Sequence, residues 1–375
     1  MDNEKLPRVS IVLGTRPEAI KFCPLILEFK KIKQVNIRVI LTGQHKEMVQ
    51  KIMDIFKVEP DIDMQIMRKG QDLVNISLSV MRSLKQDFLE YPPKLVLVQG
   101  DTSTAFTAAL TAFYLKIPVG HVEAGLRTNN LYNPFPEEGN RRLISQIASL
   151  HFAPTNLSKE NLLKSGVTGQ IFVTGNTVID SLLIRSKLMN TTDINREYIN
   201  NQNILLLATV HRRENWGENI VNISKGIKMI LDNHTDVAFV IPMHPNEKVR
   251  NSIKSILSDY SRVFLVEPLE YDDMILVLKK TKFVLTDSGG LQEESPSLGK
   301  PVLVLRETTE RPEGIDSGTA KLIGTDPQKI YQEANLLLTN DSIYNQMSKA
   351  INPYGDGCAS ERIANACLEY CCYLY

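Results

Sequence analysis

Residues 95–104 read LVLVQGDTST. Four apolar residues in a row, with a glycine close behind, make a short strand buried on both faces that ends in a turn. The longer stretch that follows, TAFTAALTAF (104–113), is amphipathic and predicts a helix. Working outward, the same unit recurs. Short β-branched runs at 9–13, 37–41, 118–123 and 171–174 are each followed by a longer amphipathic stretch. After a polar, Asn-rich stretch at 190–203 (NTTDINREYINNQN), the alternation restarts with runs at 204–209, 237–242, 262–266, 283–286 and 301–305. Strands alternating with helices imply parallel sheets. The expectation is therefore two doubly wound α/β domains, residues 1–180 and 181–356, joined near 180–203. A terminal helix at about 357–375 would pack back on the first domain.

Composition narrows the function. The 375 residues carry 43 Lys+Arg and 43 Asp+Glu, 23% charged and 43% hydrophobic overall, which describes a folded soluble protein and argues against coating a polyanion. Nucleic acid is not an expected partner. No apolar run approaches the ~20 residues of a membrane helix, and the opening MDNEKLPRVS lacks the basic start and apolar stretch of a signal peptide, so the expectation is a cytoplasmic protein with no membrane partner. The cysteines at 23, 358, 367, 371 and 372 form no CxxC pair, and the histidines at 45, 121, 151, 211, 234 and 244 form no HxxxH pair. No metal site is proposed, and the thiols are read as reduced. The chain also lacks GxxxxGK[ST] and GxGxxG, which weighs against P-loop hydrolysis and a nicotinamide cofactor.

In doubly wound sheets ligands bind beyond the carboxyl ends of the strands. Polar clusters stand at those places: GTRPE (14–18), GDTST (100–104), EAGLR (123–127), HRRE (211–214), HPN (244–246) and DSGG (287–290). Their number, from two domains, is the pattern of a ligand held in a cleft between them. Ser288-Gly289-Gly290 opens a helix whose first amides could cradle phosphate, or it is ordinary strand-to-helix punctuation; Arg16, His244 and Arg311 favour the cradle. Arg311 either clamps a diphosphate or pairs with Glu310 or Glu313. Asp101, Glu123, Glu137 and His211 offer proton donors and acceptors. Alternatively Asp101 caps the helix beginning near 102 and Glu123 pairs with Arg127. Glu137 lies in the proline-stiffened PFPEE (134–138), a costly sequence for a mere linker.

With these residues in view, the chain resembles the non-hydrolysing UDP-N-acetylglucosamine 2-epimerase family along nearly its whole length. The segments that carry the resemblance are GTRPEAIK (14–21), GQHKEM (43–48), GDTSTAF (100–106), PVGHVEAGLRT (118–128), YNPFPEEGNRR (132–142), HFAPT (151–155), VTGNTVID (173–180), HRREN (211–215), HPN (244–246), TDSGGLQEESPSLGKPVLVLRETTERPEG (286–314) and NPYGDG (352–357). The resemblance implies the GT-B architecture: two Rossmann-like domains with an interdomain cleft, and the nucleotide mainly on the second. It implies an isomerase that reversibly converts UDP-N-acetylglucosamine to UDP-N-acetylmannosamine by eliminating and re-adding UDP through 2-acetamidoglucal, with no cofactor, as a homodimer supplying bacterial-type surface polysaccharides. By motif, Asp101, Glu123, Glu137 and His211 fall on the family's acid/base positions. Arg16, Lys21, His244, Ser288, Gly289, Gly290, Glu294 and Arg311 fall on its UDP-sugar contacts. Gln44 and His45 match an allosteric site for a second UDP-N-acetylglucosamine. The competing readings are a sister epimerase of a modified UDP-2-acetamido sugar, a hydrolysing epimerase, a GT-B glycosyltransferase and a non-catalytic nucleotide-sugar sensor.

Overall fold

The computed structural model describes residues 6–44, 46–66, 70–128, 130–189, 197–200 and 203–373. The chain divides into two compact units, one running through Ser181 and resuming at Tyr354, the other spanning Leu182–Pro353. In the first unit, β1 (Arg8–Leu13), β2 (Asn36–Leu41), β3 (Ile62–Asp63), β4 (Leu95–Gln99), β5 (Val119–Val122), β6 (Leu150–Ala153) and β7 (Gln170–Val173) form a seven-stranded sheet in the order β3-β2-β1-β4-β5-β6-β7. In the second, β8 (Ile204–Thr209), β9 (Val237–Pro242), β10 (Val263–Val266), β11 (Val284–Thr286), β12 (Val302–Val304) and β13 (Ala320–Leu322) form a six-stranded sheet in the order β10-β9-β8-β11-β12-β13. Neighbouring strands pair in parallel throughout both sheets.

The sequence explains this layering. Leu95 to Val98 are fully buried, as a central strand covered on both faces must be. The following helix, Ser103–Tyr114, turns Ala105, Ala108, Ala109 and Ala112 onto the sheet, where their small side chains admit a close approach to Val12, Val96 and Val98. In the second unit, Gly226 does the same between helices Glu218–Asn233 and Pro327–Thr339: a Cβ there would stand 2.8 Å from Ile330. Three strands escaped the sequence reading. β3 (ID), β6 (LHFA) and β13 (AKL) are short and carry a polar residue inside or at the end, so none shows a continuous β-branched run.

Strand order reverses between β1 and β4 in one sheet and between β8 and β11 in the other, so each unit has one switch point, the place at which doubly wound sheets bind ligands. The terminal helix Ala359–Tyr373 belongs to the first unit. Buried Asp180 accepts from the amides of Ser360 (2.7 Å) and Ala359 (3.3 Å) at its start, and burial raises the carboxyl's pKa. Most of the Asn-rich stretch, 190–196 and 201–202, lies outside the described residues; Glu197–Asn200 is a single helical turn. Among the described residues no helix is long and apolar enough to cross a membrane.

Candidate active site

At the first switch point, Thr15 and Glu18 build the turn after β1. The Glu18 carboxylate is buried and accepts from the amides of Gly14 (2.8 Å) and Thr15 (2.7 Å) and from the hydroxyls of Thr15 (3.0 Å) and Thr102 (2.5 Å). Burial nevertheless raises its pKa against all four donors. Glu18 thereby ties the β1 turn to the β4 turn and sets the start of helix Arg16–Lys31, which carries Arg16 and Lys21. The Arg16 side chain is half-buried and makes no hydrogen bond or ion pair among the described residues.

Glu123, immediately after β5, has a left-handed backbone (φ 61°), an uncommon conformation for a residue with a Cβ. Its Oε1 accepts from Lys21 Nζ (2.5 Å) and Asn176 Nδ2 (2.9 Å), and its Oε2 from Gln99 Nε2. Gly100 makes room beside it, since a Cβ there would stand 3.4 Å from Oε2. The structure thus overturns the pairing of Glu123 with Arg127. The Arg127 guanidinium instead donates to Leu126 O (2.8 Å), Ser145 Oγ (3.0 Å) and Ser165 Oγ (3.4 Å), and burial pushes its pKa down to about 10.

Asp101 does not cap the helix after β4. Thr102 does, its hydroxyl accepting from the Ala105 amide at 3.0 Å. Asp101 pairs with Arg141, whose other terminal nitrogen donates to buried Glu138 (3.1 Å). Glu138 also takes Arg142 Nε (2.6 Å) and the Thr128 amide (3.1 Å). The side chain of Glu137, one residue earlier at the start of helix Glu137–Ile147, makes no hydrogen bond or ion pair among the described residues. Beside β2, Gln44 accepts from Thr104 (2.9 Å); His45 lies outside the described residues.

At the second switch point, β8 and β11 run in register, Thr209 opposite Thr286, with their hydroxyls 2.5 Å apart. One residue beyond β11, Asp287 is fully buried and gathers the 211–215 loop. It accepts from the amides of His211 (3.0 Å) and Arg212 (2.9 Å), from Asn215 Nδ2 (3.0 Å) and from His211 Nδ1 (3.0 Å). Burial raises the Asp287 carboxyl, but those donors outweigh it and hold its pKa below the ordinary range. The His211 side chain remains 44% exposed. His244, after β9, has the opposite arrangement: its Nδ1 accepts from the Asn246 amide (3.1 Å), and its ring meets Trp216 edge-on at 5.7 Å.

The Ser288 amide is less free than the cradle reading assumed, because it donates to Thr286 Oγ1 at 2.9 Å. Gly289 and Gly290 open a helix of only six residues, Gly289–Glu294, and their amides have no intrahelical carbonyl within reach. Arg311 lies against this turn. A Cβ on Gly289 would stand 3.2 Å from its Cζ, so glycine is what admits the guanidinium. Arg311 Nε donates to buried Glu293 at 2.7 Å. Glu310, its sequence neighbour, is engaged instead by buried Arg306 (2.5 Å), which also grips Glu214 (2.6 Å); burial opposes ionisation of Glu310, yet Arg306 brings its pKa to about 2. Glu294 stands near Gly290, where a Cβ would lie 3.7 Å from its Oε2.

The sequence reading singled out none of Gln99, Asn176, Glu138, Arg141 and Glu293, which hold the site residues in place, and it named Asp287 in a strand-end cluster without a role. Only Asp287 had a local signal, as the first polar residue after a strand.

Two doubly wound units of parallel sheet define the GT-B type of α/β protein, and within that class the chain can be placed. Residues 27–368 match the family model described as UDP-N-acetylglucosamine 2-epimerase. The chain is 49% identical to the UDP-N-acetylglucosamine 2-epimerase of Bacillus subtilis (strain 168), covering 96% of this chain and 95% of that one. It is 46% identical to the enzyme of the same name from Campylobacter jejuni, covering 96% and 97%. The crystal structure of UDP-GlcNAc 2-epimerase from Neisseria meningitidis bound to UDP-GlcNAc is similar with a TM-score of 0.87 and 45% identity, covering 96% of this chain and all of that one. The chain belongs to the UDP-N-acetylglucosamine 2-epimerase family.

Proposed function

We infer that this isomerase interconverts UDP-N-acetylglucosamine and UDP-N-acetylmannosamine by elimination and re-addition of UDP, without releasing free sugar and with no added cofactor. The proton on C2 leaves to a base, its electron pair becomes the C1=C2 bond of 2-acetamidoglucal, and the C1–O pair departs with UDP. In the return step UDP re-forms the C1–O bond while a proton reaches the other face of C2. C2 is a weak acid, so the step depends on stabilising the departing diphosphate. Arg311, His244, Arg16 and the amides of Gly289 and Gly290 supply that positive charge in this reading, with Glu294 on the nucleoside side. Glu123, Asp101, Glu137 and His211 supply the proton traffic on two faces.

The observation that carries the reading is Glu123. A buried carboxylate on a left-handed residue, with donors on both oxygens, stores conformational cost at a strand end where function repays it. Lys21 is assigned to holding that carboxylate as well as to the sugar nucleotide. The same reading carries a homodimer and a product that feeds surface polysaccharide assembly, as the resemblance implies, and the cytoplasmic location expected from the sequence. The test is proton NMR of the purified protein with UDP-N-acetylglucosamine in deuterated water. UDP-N-acetylmannosamine bearing deuterium at C2 is expected. Free N-acetylmannosamine with UDP would identify a hydrolysing enzyme, and saturable binding without change would turn the search to modified UDP-sugars.

A further inference from the structure

Asp287 is buried beyond β11, while the residue it serves is half in the open. Its Oδ1 receives His211 Nδ1 at 3.0 Å, and the same carboxylate receives the backbone amides of His211 and Arg212 and the side-chain amide of Asn215. The loop that carries His211 is therefore bound to the carboxylate independently of the ring, and the ring is bound to it a second time. An ionised carboxylate only accepts hydrogen bonds, so the ring nitrogen facing it must bear the proton. In a neutral imidazole that leaves the lone pair on Nε2. His244 is the internal control. Its Nδ1 faces a backbone N–H, which only donates, so its neutral ring carries the proton on Nε2. One unit thus holds two histidines in opposite tautomers, one poised to accept a proton and one to donate to an anion.

We propose that Asp287 is a positioning residue that locks His211 in the Nδ1–H tautomer and makes Nε2 the atom through which His211 exchanges a proton on one face of C2. As the C2–H bond breaks, the proton passes to Nε2, the C–H pair forms C1=C2 and the C1–O pair leaves on UDP. The imidazolium so formed lies against the Asp287 carboxylate, which has been kept ionised for it. As UDP re-forms the C1–O bond, one of the carboxylic acids of the first unit delivers a proton to the other face of C2; Nε2 then gives its proton to water and that carboxylate takes one from water, which closes the cycle. The catalytic step rests on the epimerase reading; the tautomer does not.

The experiment is nitrogen-15 NMR of the full chain labelled at histidine, with the His211 signals identified by their loss in His211→Gln. The expected result is a neutral His211 protonated on Nδ1. A wild-type His211 protonated on Nε2 overturns the proposal without any mutant. In Asp287→Asn, which keeps a carbonyl oxygen for the loop amides, the tautomer preference should be lost. kcat should then fall by about 10²-fold or more, while the UDP dissociation constant stays within about threefold, as unit folding preserved would require. Lost tautomer preference with unchanged kcat would overturn the catalytic part. Because the NMR readout needs no turnover, absence of epimerisation in the wild type would sink the reaction and leave the tautomer standing or falling by itself.

Discussion

The two units solve the same topological problem and place opposite charge at the solution. At the first switch point the groups presented are carboxylates, each backed by a cation: Glu123 by Lys21, Asp101 by Arg141. At the second they are a histidine and an arginine, each backed by a buried carboxylate: His211 by Asp287, Arg311 by Glu293. A charge near a protein interior is stable when its partner is close and its remaining hydrogen bonds are made. In the second unit the acid is the more buried member of each pair, whereas in the first Glu123 is more buried than Lys21 and Asp101 less buried than Arg141. In the second unit Asp287 and Glu293 are the buried members, so the unit offers donors and positive charge, suited to a diphosphate. In the first unit Glu123 keeps its carboxylate while Lys21, Gln99 and Asn176 pin it, so the unit offers oriented bases.

The largest effect should come from removing the charge on the first side. Glu123→Gln keeps the shape but gives the Lys21 ammonium an amide oxygen in place of a carboxylate, and it removes a base. A fall in kcat of about 10²- to 10⁴-fold is expected, together with loss of C2 deuteration in deuterated water. Retention of the exchange with slowed UDP elimination would move Glu123 from the proton to the leaving group, and would break the division of labour between the units.

Much of this arrangement is readable in the chain, and the unreadable part has a common cause. The strands at 95–99, 204–209 and 237–242 carry runs of four to six apolar residues, and polar residues follow where the runs stop, so both the sheets and the candidate site at their ends follow from a local pattern. The partners do not. Asn176 reaches Glu123 across 53 positions, Asp287 reaches His211 across 76, and Arg141 reaches Asp101 across 40. No helical or strand spacing links such residues; only register does, as when Thr209 opposite Thr286 brings 211 beside 287. Local reasoning went wrong where two local choices competed. Asp101 and Thr102 could each cap the helix, and Thr102 wins because Asp101 is drawn to Arg141.

A smaller loss should follow changes on the second side. Arg311→Ala should weaken UDP binding by about 10²-fold by calorimetry, the scale of one preorganised donor to a developing oxyanion. Arg311→Lys should recover only part of it, because a single ammonium cannot both meet Glu293 and fork toward phosphate. Gly289→Ala places a methyl 3.2 Å from the guanidinium carbon and should displace it by a few tenths of an ångström, weakening UDP by about tenfold. If Gly289→Ala is additive with Arg311→Ala rather than masked by it, the glycine is not acting through the arginine.

The smallest effect on activity, and the one that separates the units by pH, concerns histidines that neither cluster uses. His121 on β5 and His151 on β6 stand side by side in register, fully buried, and His121 Nε2 is 2.7 Å from the carbonyl of Gly100, the turn that shelters Glu123. Burial lowers their pKa from 6.5 to about 4 for His121 and about 3 for His151. Both rings are therefore neutral in the fold at pH values where the unfolded chain has already bound protons. Stability that is complete above pH 6.5 should be lost as pH falls through 6 toward 4, by about 3 kcal/mol for His121 alone at full effect. The described histidines of the second unit, His211, His234 and His244, are not fully buried, so this acid sensitivity should belong to the first unit. Hydrogen exchange at pH 7 and pH 5 should show β4, β5 and β6 losing protection before β8 and β11 do, with UDP binding outlasting turnover. His121→Gln should lower stability at neutral pH but flatten its slope between pH 6.5 and 4.5. A slope unchanged by that substitution would assign the acid lability elsewhere and remove the proposed difference between the units.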